Sequence, residues 1–341
     1  MSFRIGVMGA GAIGCYLGGL LADRGYAVTF VGSARMRSEV GTAGLVLTNM
    51  EQRTRRISAQ QLNFVTDAQA LADADLVLVA TKSAQTAQAG EQLSRILRAQ
   101  AVVVSVQNGM RNAELLRAAL PQHAVLTGIV GFNVRSLGEG RLRQATTGPL
   151  VFESTRHASV IEMARVFTEC GLEVELRTDI RALQWTKLIM NLNNAISALS
   201  GATTPQLLFN PRYRTVLRAV MGEALAVLRA ADVRPGKLGA VPVSLFPFML
   251  GLPTLLLRVV LRAQLKVDPE ARSSMWEDLA RGRTTEVDEL NGAIVQLAAA
   301  HGRDAPLNRR IVDVVHEFEA RRAGSPTLSP DRLAEVLRLS Q

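Results

Sequence analysis

Val7-Met8-Gly9-Ala10-Gly11-Ala12-Ile13-Gly14 is the stretch on which the fold turns. An apolar run over residues 3–8 leads into it, a helix-compatible stretch over 13–24 follows, and a second apolar run occupies 27–31. Between a strand and a helix, glycines spaced G-x-G-x-x-G read as a dinucleotide phosphate loop. The first glycine permits the tight turn, the second lets the backbone approach a pyrophosphate, and the third lets helix and strand pack closely. The helix N-terminus adds N–H donors and a dipole that favours an anion. Gly9, Ala10, Gly11, Ala12, Ile13 and Gly14 are therefore candidate cofactor contacts.

Outward from this turn the pattern repeats. Residues 75–80 and 101–106 are near-continuous apolar runs of strand length, with a helical stretch over 87–99 between them. Such runs suit strands buried on both faces of a parallel sheet. Residues 150–153 and 172–176 read as the last strands of the same sheet. From Asp179 the texture changes: apolar residues recur every three or four positions through 182–199, 213–231, 273–281, 285–300 and 308–321. The expected fold is α/β: an N-terminal Rossmann-type doubly wound domain over 1–178, then an all-helical C-terminal domain over 179–341. A length of 341 residues suits two domains.

Composition narrows the functions. With 48% hydrophobic and 20% charged residues, the chain is not a disordered polar one. Its two cysteines, Cys15 and Cys170, form no disulfide framework and point to a reducing compartment, so the expected location is cytoplasmic. Residues 3–9 run straight into the glycine motif, which argues against a signal peptide. The four histidines show no metal-ligand spacing, and no metal is expected. A net charge of +9 raises the question of nucleic acid, but the arginines are scattered and aromatics are only 4%, so no nucleic-acid partner is expected. Among 39 basic residues only Lys82, Lys187, Lys237 and Lys266 are lysines, which makes each of them conspicuous.

The end of the second strand chooses between cofactors. An NAD site carries a carboxylate there for the ribose 2′-hydroxyl. Here the stretch is Val31-Gly32-Ser33-Ala34-Arg35-Met36-Arg37, with no acid before Glu39. A hydroxyl and two guanidiniums suit a 2′-phosphate. The expected cofactor is NADP(H), held by Ser33, Arg35 or Arg37.

Taken together, G-A-G-A-I-G, Thr81-Lys82, Val106-Gln107-Asn108-Gly109-Met110, Trp185-Thr186-Lys187-Leu188-Ile189-Met190-Asn191, Ser273-Ser274-Met275-Trp276-Glu277-Asp278 and Gly282-Arg283-Thr284-Thr285-Glu286-Val287-Asp288 resemble the ketopantoate reductase (2-dehydropantoate 2-reductase) family. The resemblance covers nearly the whole chain, in order. It implies NADPH-dependent reduction of 2-dehydropantoate to pantoate. It also implies that Asn108 works at the nicotinamide and substrate, that Lys82 lies near the cofactor ribose or phosphate, and that Asn191 holds the substrate. Ser274 would bind the substrate carboxylate and Glu286 its hydroxyl, with Glu286 also near Lys187. The family's second substrate amide usually stands one residue after Asn194, where this chain has Ala195.

The residues themselves support that chemistry. Reducing a ketone needs a hydride at carbon and a proton at oxygen. Lys187 opens an uncharged stretch, 188–199, and desolvation there would bring its pKa towards neutrality and suit it as the acid. On one helix, Asn191 and Asn194 share the face of Lys187. Ser274 and Glu286 are twelve residues apart, about 18 Å on a straight helix. Gly282 can end one helix and Thr284 or Thr285 can cap the next, which would break that line.

Two alternatives remain: a reductase of another branched or bulkier 2-oxo acid, and a cofactor sensor without catalysis. A sensor needs no proton donor, and Lys187, Ser274 and Glu286 together argue against it. Residues 239–257 carry no charge over nineteen positions. Pro242, Pro247, Pro253 and Gly251 would disrupt a spanning helix, so no membrane span is expected. This stretch reads instead as a cleft cover, a subunit interface or a membrane-surface contact; its place before Ser274 favours the first two, and the long apolar helices favour a homodimer.

Overall fold

The apolar runs of the first half become strands of one sheet in the computed structural model, which describes residues 3–238, 241–262 and 268–339. The strands are β1 (Arg4–Met8), β2 (Ala27–Val31), β3 (Leu45–Thr48), β4 (Thr54–Ile57), β5 (Asn63–Val65), β6 (Leu76–Val79), β7 (Val102–Ser105), β8 (Ala124–Val130), β9 (Val134–Ser136), β10 (Arg141–Gln144), β11 (Leu150–Glu153) and β12 (Val174–Arg177). Eight of them form a sheet of order β12-β11-β8-β7-β6-β1-β2-β5. It is parallel except where β11 runs against β8. β1 lies between β2 and β6, so the winding reverses there, and open α/β sheets bind ligands outside the strand ends at such a point.

Helices cover both faces, which is why the central strands lack an alternating pattern. Val7, Phe30, Leu78 and Val104 pack on one face with α1 (Ala12–Asp23). Met8, Val31, Val79 and Val103 pack on the other with Ala89, Leu93 and Leu116. Those three residues belong to the helices that follow α2 (Ala34–Ala43), namely α3 (Thr86–Ile96) and α4 (Asn112–Ala119); α5 (Ala158–Glu169) lies on the α1 side.

A second sheet, of order β4-β3-β10-β9, was not expected from the sequence. It packs on α1 from the side away from β1 and β2. Leu45 and Leu47 close on Gly19, and the Tyr16 hydroxyl donates to Gln144 Oε1 at 3.4 Å. With a sheet on each side, every residue from Gly14 to Ala22 is buried. That accounts for a helix with no polar stripe.

The chain divides into two compact units between Ile180 and Arg181. The second unit is helical: α6 (Ile180–Asn191) leads into it, followed by α7 (Asn193–Ser200), α8 (Thr204–Phe209), α9 (Pro211–Ala230), α10 (Phe246–Leu250), α11 (Thr254–Arg262), α12 (Ser274–Ala280), α13 (Val287–Ala300), α14 (Pro306–Arg321) and α15 (Pro330–Val336). The long α9 packs against α8, α10, α13, α14 and α15. The helical stretch expected over 182–199 is two helices, because Leu192 tightens the turn and donates from its N–H to Ile189 O at 3.3 Å.

The uncharged stretch forms a 3-10 turn over Val243–Leu245 and the short helices α10 and α11, broken around Gly251 and Pro253. Gly239 and Ala240 at its start, and Lys266 beyond it, lie outside the described residues. Among the described residues no helix is long and apolar enough to cross a membrane.

Candidate active site

The phosphate loop leaves β1 and is pinned on both sides. The Gly9 and Ala10 N–H groups donate to Val31 O at 3.0 and 2.9 Å. Gly9 has φ +104°, and a Cβ there would lie 2.4 Å from Thr81 N, so only glycine fits. At Gly14 a Cβ would lie 2.2 Å from Gly9 O and 2.9 Å from Val7 Cγ1. The third glycine therefore sets the close approach of α1 to β1. A Cβ on Gly11 would meet nothing within 4 Å. The middle of the loop thus faces open space, where the first turn of α1 presents the N–H groups of Ala12, Ile13 and Gly14. An anionic pyrophosphate fits this cradle.

At the end of β2, Ser33 caps α2: its hydroxyl accepts from Met36 N at 3.3 Å. Arg35 and Arg37 follow in the first turn and are exposed. Arg35 pairs with Glu39 at 3.5 Å, and the other carboxylate oxygen of Glu39 accepts from Gly140 N at 3.3 Å. The first acid after β2 is thus engaged on its own helix and across to the second sheet. Ser33, Arg35 and Arg37 stand in the order expected, and the geometry does not choose among them.

Lys82 and Asn108 follow β6 and β7 at the strand ends. Lys82 is exposed just before the turn Ser83–Gln85, and Asn108 is half-buried ahead of Gly109, which has φ +91°. A buried polar network beneath them escaped the sequence reading. Gln107 Nε2 donates to Thr81 O at 3.0 Å and to Thr86 Oγ1 at 2.7 Å. Thr86 Oγ1 donates to Asn112 Oδ1 at 2.7 Å, and Asn112 Nδ2 donates to Ser83 Oγ at 3.0 Å and to the Asn108 carbonyl. The available signal was the pair of amides, Gln107 and Asn112, flanking Asn108-Gly109 just after an apolar strand. Buried amides demand partners.

In the helical unit, Lys187 lies late in α6, at the head of the uncharged residues 188–199. It is half-buried among Trp185, Leu188 and Ile189, which are buried. Desolvation pushes its ammonium from an ordinary 10.5 down to about 8. Asn191 and Asn194 are both buried. Leu192 stands between them with φ −61° and ψ −19°, still in the right-handed helical region. The Asn194 carbonyl accepts from Ser273 Oγ at 2.9 Å. That bond ties α7 to the start of α12.

Ser273 caps α12, accepting from Trp276 N at 3.0 Å, and Ser274 is exposed as the first helical residue. Gly282, at φ +62°, ends this helix, with Arg283 N bonded to Asp278 O at 2.9 Å and Gly282 N to Leu279 O at 2.9 Å. These two bonds are the Schellman pattern. Thr285 Oγ1 then accepts from Val287 N at 3.2 Å, and α13 begins. Ser274 and Glu286 therefore do not share one straight helix. Glu286 is buried in the N-cap position of α13. Among the described residues no cluster of three His, Cys, Asp or Glu could hold a metal.

The chain matches the family model "Ketopantoate reductase PanE/ApbA" over residues 5–157 and its C-terminal counterpart over 179–319. It is 30% identical over 319 residues to the 2-dehydropantoate 2-reductase of Halobacterium salinarum, covering 92% of this chain and 97% of that protein. A PanE/ApbA family ketopantoate reductase from Ralstonia eutropha superposes with TM-score 0.78 at 32% identity, over 94% of this chain and 99% of that one. The dimeric ketopantoate reductase of Staphylococcus aureus shares the fold at 18% identity, with TM-score 0.66 over 94% of this chain and 100% of that one.

Proposed function

Since the chain belongs to the ketopantoate reductase family, an oxidoreductase family, we propose that it reduces 2-dehydropantoate to pantoate with NADPH. Gly9, Ala10, Gly11, Ala12, Ile13 and Gly14 would hold the cofactor's pyrophosphate, and the bound nicotinamide would supply the hydride. Lys187 supplies the proton. Its ammonium stabilises the charge developing on the keto oxygen and then transfers a proton to it. The observation that carries this reading is the desolvated Lys187, with a pKa of about 8. At neutral pH it is still protonated, yet it gives up its proton more readily than an exposed lysine.

The remaining roles follow the family. Asn108 orients the nicotinamide and the keto acid, and Lys82 meets the cofactor ribose or phosphate. Asn191 holds the substrate by its amide, Ser274 takes its carboxylate and Glu286 its hydroxyl; Asn194, one residue before the family's usual second amide, stands in for that group. Ser33, Arg35 or Arg37 receives the 2′-phosphate, supported by the absence of an acid before Glu39 and by the engagement of Glu39 with Arg35 and Gly140 N. The active form is a homodimer, as in the Staphylococcus aureus protein, and the apolar side chains exposed on α10 and α11 are its contact face. Buried free thiols at Cys15 and Cys170 suit a cytoplasmic setting.

The test is loss of absorbance at 340 nm with NADPH and ketopantoate. NADPH should be consumed, and NADH should support a slower reaction. Faster turnover of a bulkier 2-oxo acid, or none with any 2-oxo acid, would displace this reading.

A further inference from the structure

We propose that Asn112 is a positioning residue for the reduction: it fixes the Asn108 backbone, and through it the Asn108 side chain, at the carboxyl end of β7. The proposal rests on the reductase reading above. Asn108 sits on a turn, after the end of β7 and before α4, whose next residue, Gly109, has φ +91°. Asn112 grips this turn from the first residue of α4. Its Nδ2 donates to the Asn108 carbonyl, and it also donates to Ser83 Oγ at 3.0 Å. Ser83 Oγ in turn donates to the same carbonyl at 3.3 Å.

The direction of this bonding is fixed from the other end. Ser105 Oγ, on the last residue of β7, donates to Gln107 Oε1 at 3.1 Å. That leaves the Gln107 amide nitrogen to donate to Thr86 Oγ1 at 2.7 Å. Thr86 must then use its own hydrogen towards Asn112 Oδ1, which lies at 2.7 Å. Asn112 can only present its NH2 to Asn108. A chain of donors therefore runs from the sheet to the one carbonyl that aims Asn108. Ser83, Thr86 and Asn112 are buried, so each broken link strands a polar group without water. Errors of about 1 Å in a reacting group can cost up to about a hundredfold in rate.

The test uses full-length protein with NADPH and ketopantoate. Wild-type turnover establishes the reductase reading first; its absence would dismiss that reading and not the network. Asn112→Asp keeps the size and still accepts from Thr86, but it offers no donor to Asn108. It should lower kcat by at least about tenfold while leaving NADPH affinity unchanged. Added to Asn108→Ala, it should lower kcat by no more than about twofold further, because Asn112 acts through Asn108. Thr86→Val, nearly isosteric, is the second variant; it should lower kcat in the same sense and less. Wild-type kcat in both single variants would overturn the proposal. So would multiplicative losses in the double variant, or a fall in NADPH affinity that accounts for the whole effect.

Discussion

Lys187 carries two opposed demands, and both are measurable. As the proposed proton donor it must be charged, and as a half-buried ammonium it is costly to charge. Its pKa of about 8 lies below its ordinary 10.5. The rate of keto-acid reduction should therefore hold level below pH 8 and fall above it, as the fraction of ammonium falls. Lys187→Ala should lower kcat by at least about tenfold with NADPH affinity nearly unchanged, which fluorescence titration would read. Near-wild-type turnover would remove Lys187 from the mechanism. The stability consequence has the opposite sense. Below pH 8 both folded and unfolded chains carry the charge, and the folded chain bears its full desolvation cost. Between pH 8 and 10.5 the folded state releases its proton first, so stability rises with pH across that window. Lys187→Met should raise Tm at pH 7, and its advantage should shrink above pH 8. Lys187 was legible because lysine is rare in this chain and its neighbours are apolar. Gln107 and Asn112 were not, because their meaning depends on Thr86, which comes from a different crossover.

The connection between α12 and α13 is governed by how α12 ends. Twelve residues separate Ser274 and Glu286, and the Schellman closure at Gly282 interrupts the helical line between them. Gly282→Ala forces an L side chain into φ +62° and should cost about 1 kcal/mol, read as a lower Tm. If that break sets the substrate groups, KM for the keto acid should rise more than KM for NADPH. The glycine and the threonines after it were readable in advance, since few residues tolerate that φ. The turn at Leu192 was not readable: no glycine or proline marks it, and apolar periodicity continues through it. The second sheet was equally silent. Strands such as Thr54-Arg55-Arg56-Ile57 and Arg141-Leu142-Arg143-Gln144 are short and rich in arginine, and β3 pairs with β10 across more than ninety residues. Local pattern cannot announce such a partner.

At the scale of the molecule, α10 and α11 leave Phe248, Leu255 and Val259 exposed at 69%, 76% and 72%. The pair is anchored from α9 by the buried Arg214, whose guanidinium donates to Leu252 O at 2.8 Å and Thr254 Oγ1 at 3.1 Å. Removing the segment would strand that charge, so point changes are the sharper probe. Replacing Phe248, Leu255 and Val259 together by serine should leave NADPH binding intact. It should also halve the mass seen by light scattering. An unchanged mass would show that this face does not join subunits. The division of the chain near residue 180 was legible from the shift of apolar spacing alone, whereas the exposed face was legible only as a stretch without charge.

The enclosure of α1 between two sheets also orders events during synthesis. The glycine loop and its helix leave the ribosome before the strands that close the outer face of that helix, the last of which ends at Gln144. Until those residues emerge, a helix with no polar stripe has one side open to water. Its neighbours β3 and β4 meanwhile wait for the edge that β10 provides. Contacts this distant in sequence form late and slow folding. A nascent chain paused before residue 134 should therefore leave the α1 amides open to hydrogen exchange. One paused beyond residue 180 should protect them. Protection already present in the shorter chain would mean that β1 and β2 hold the helix unaided.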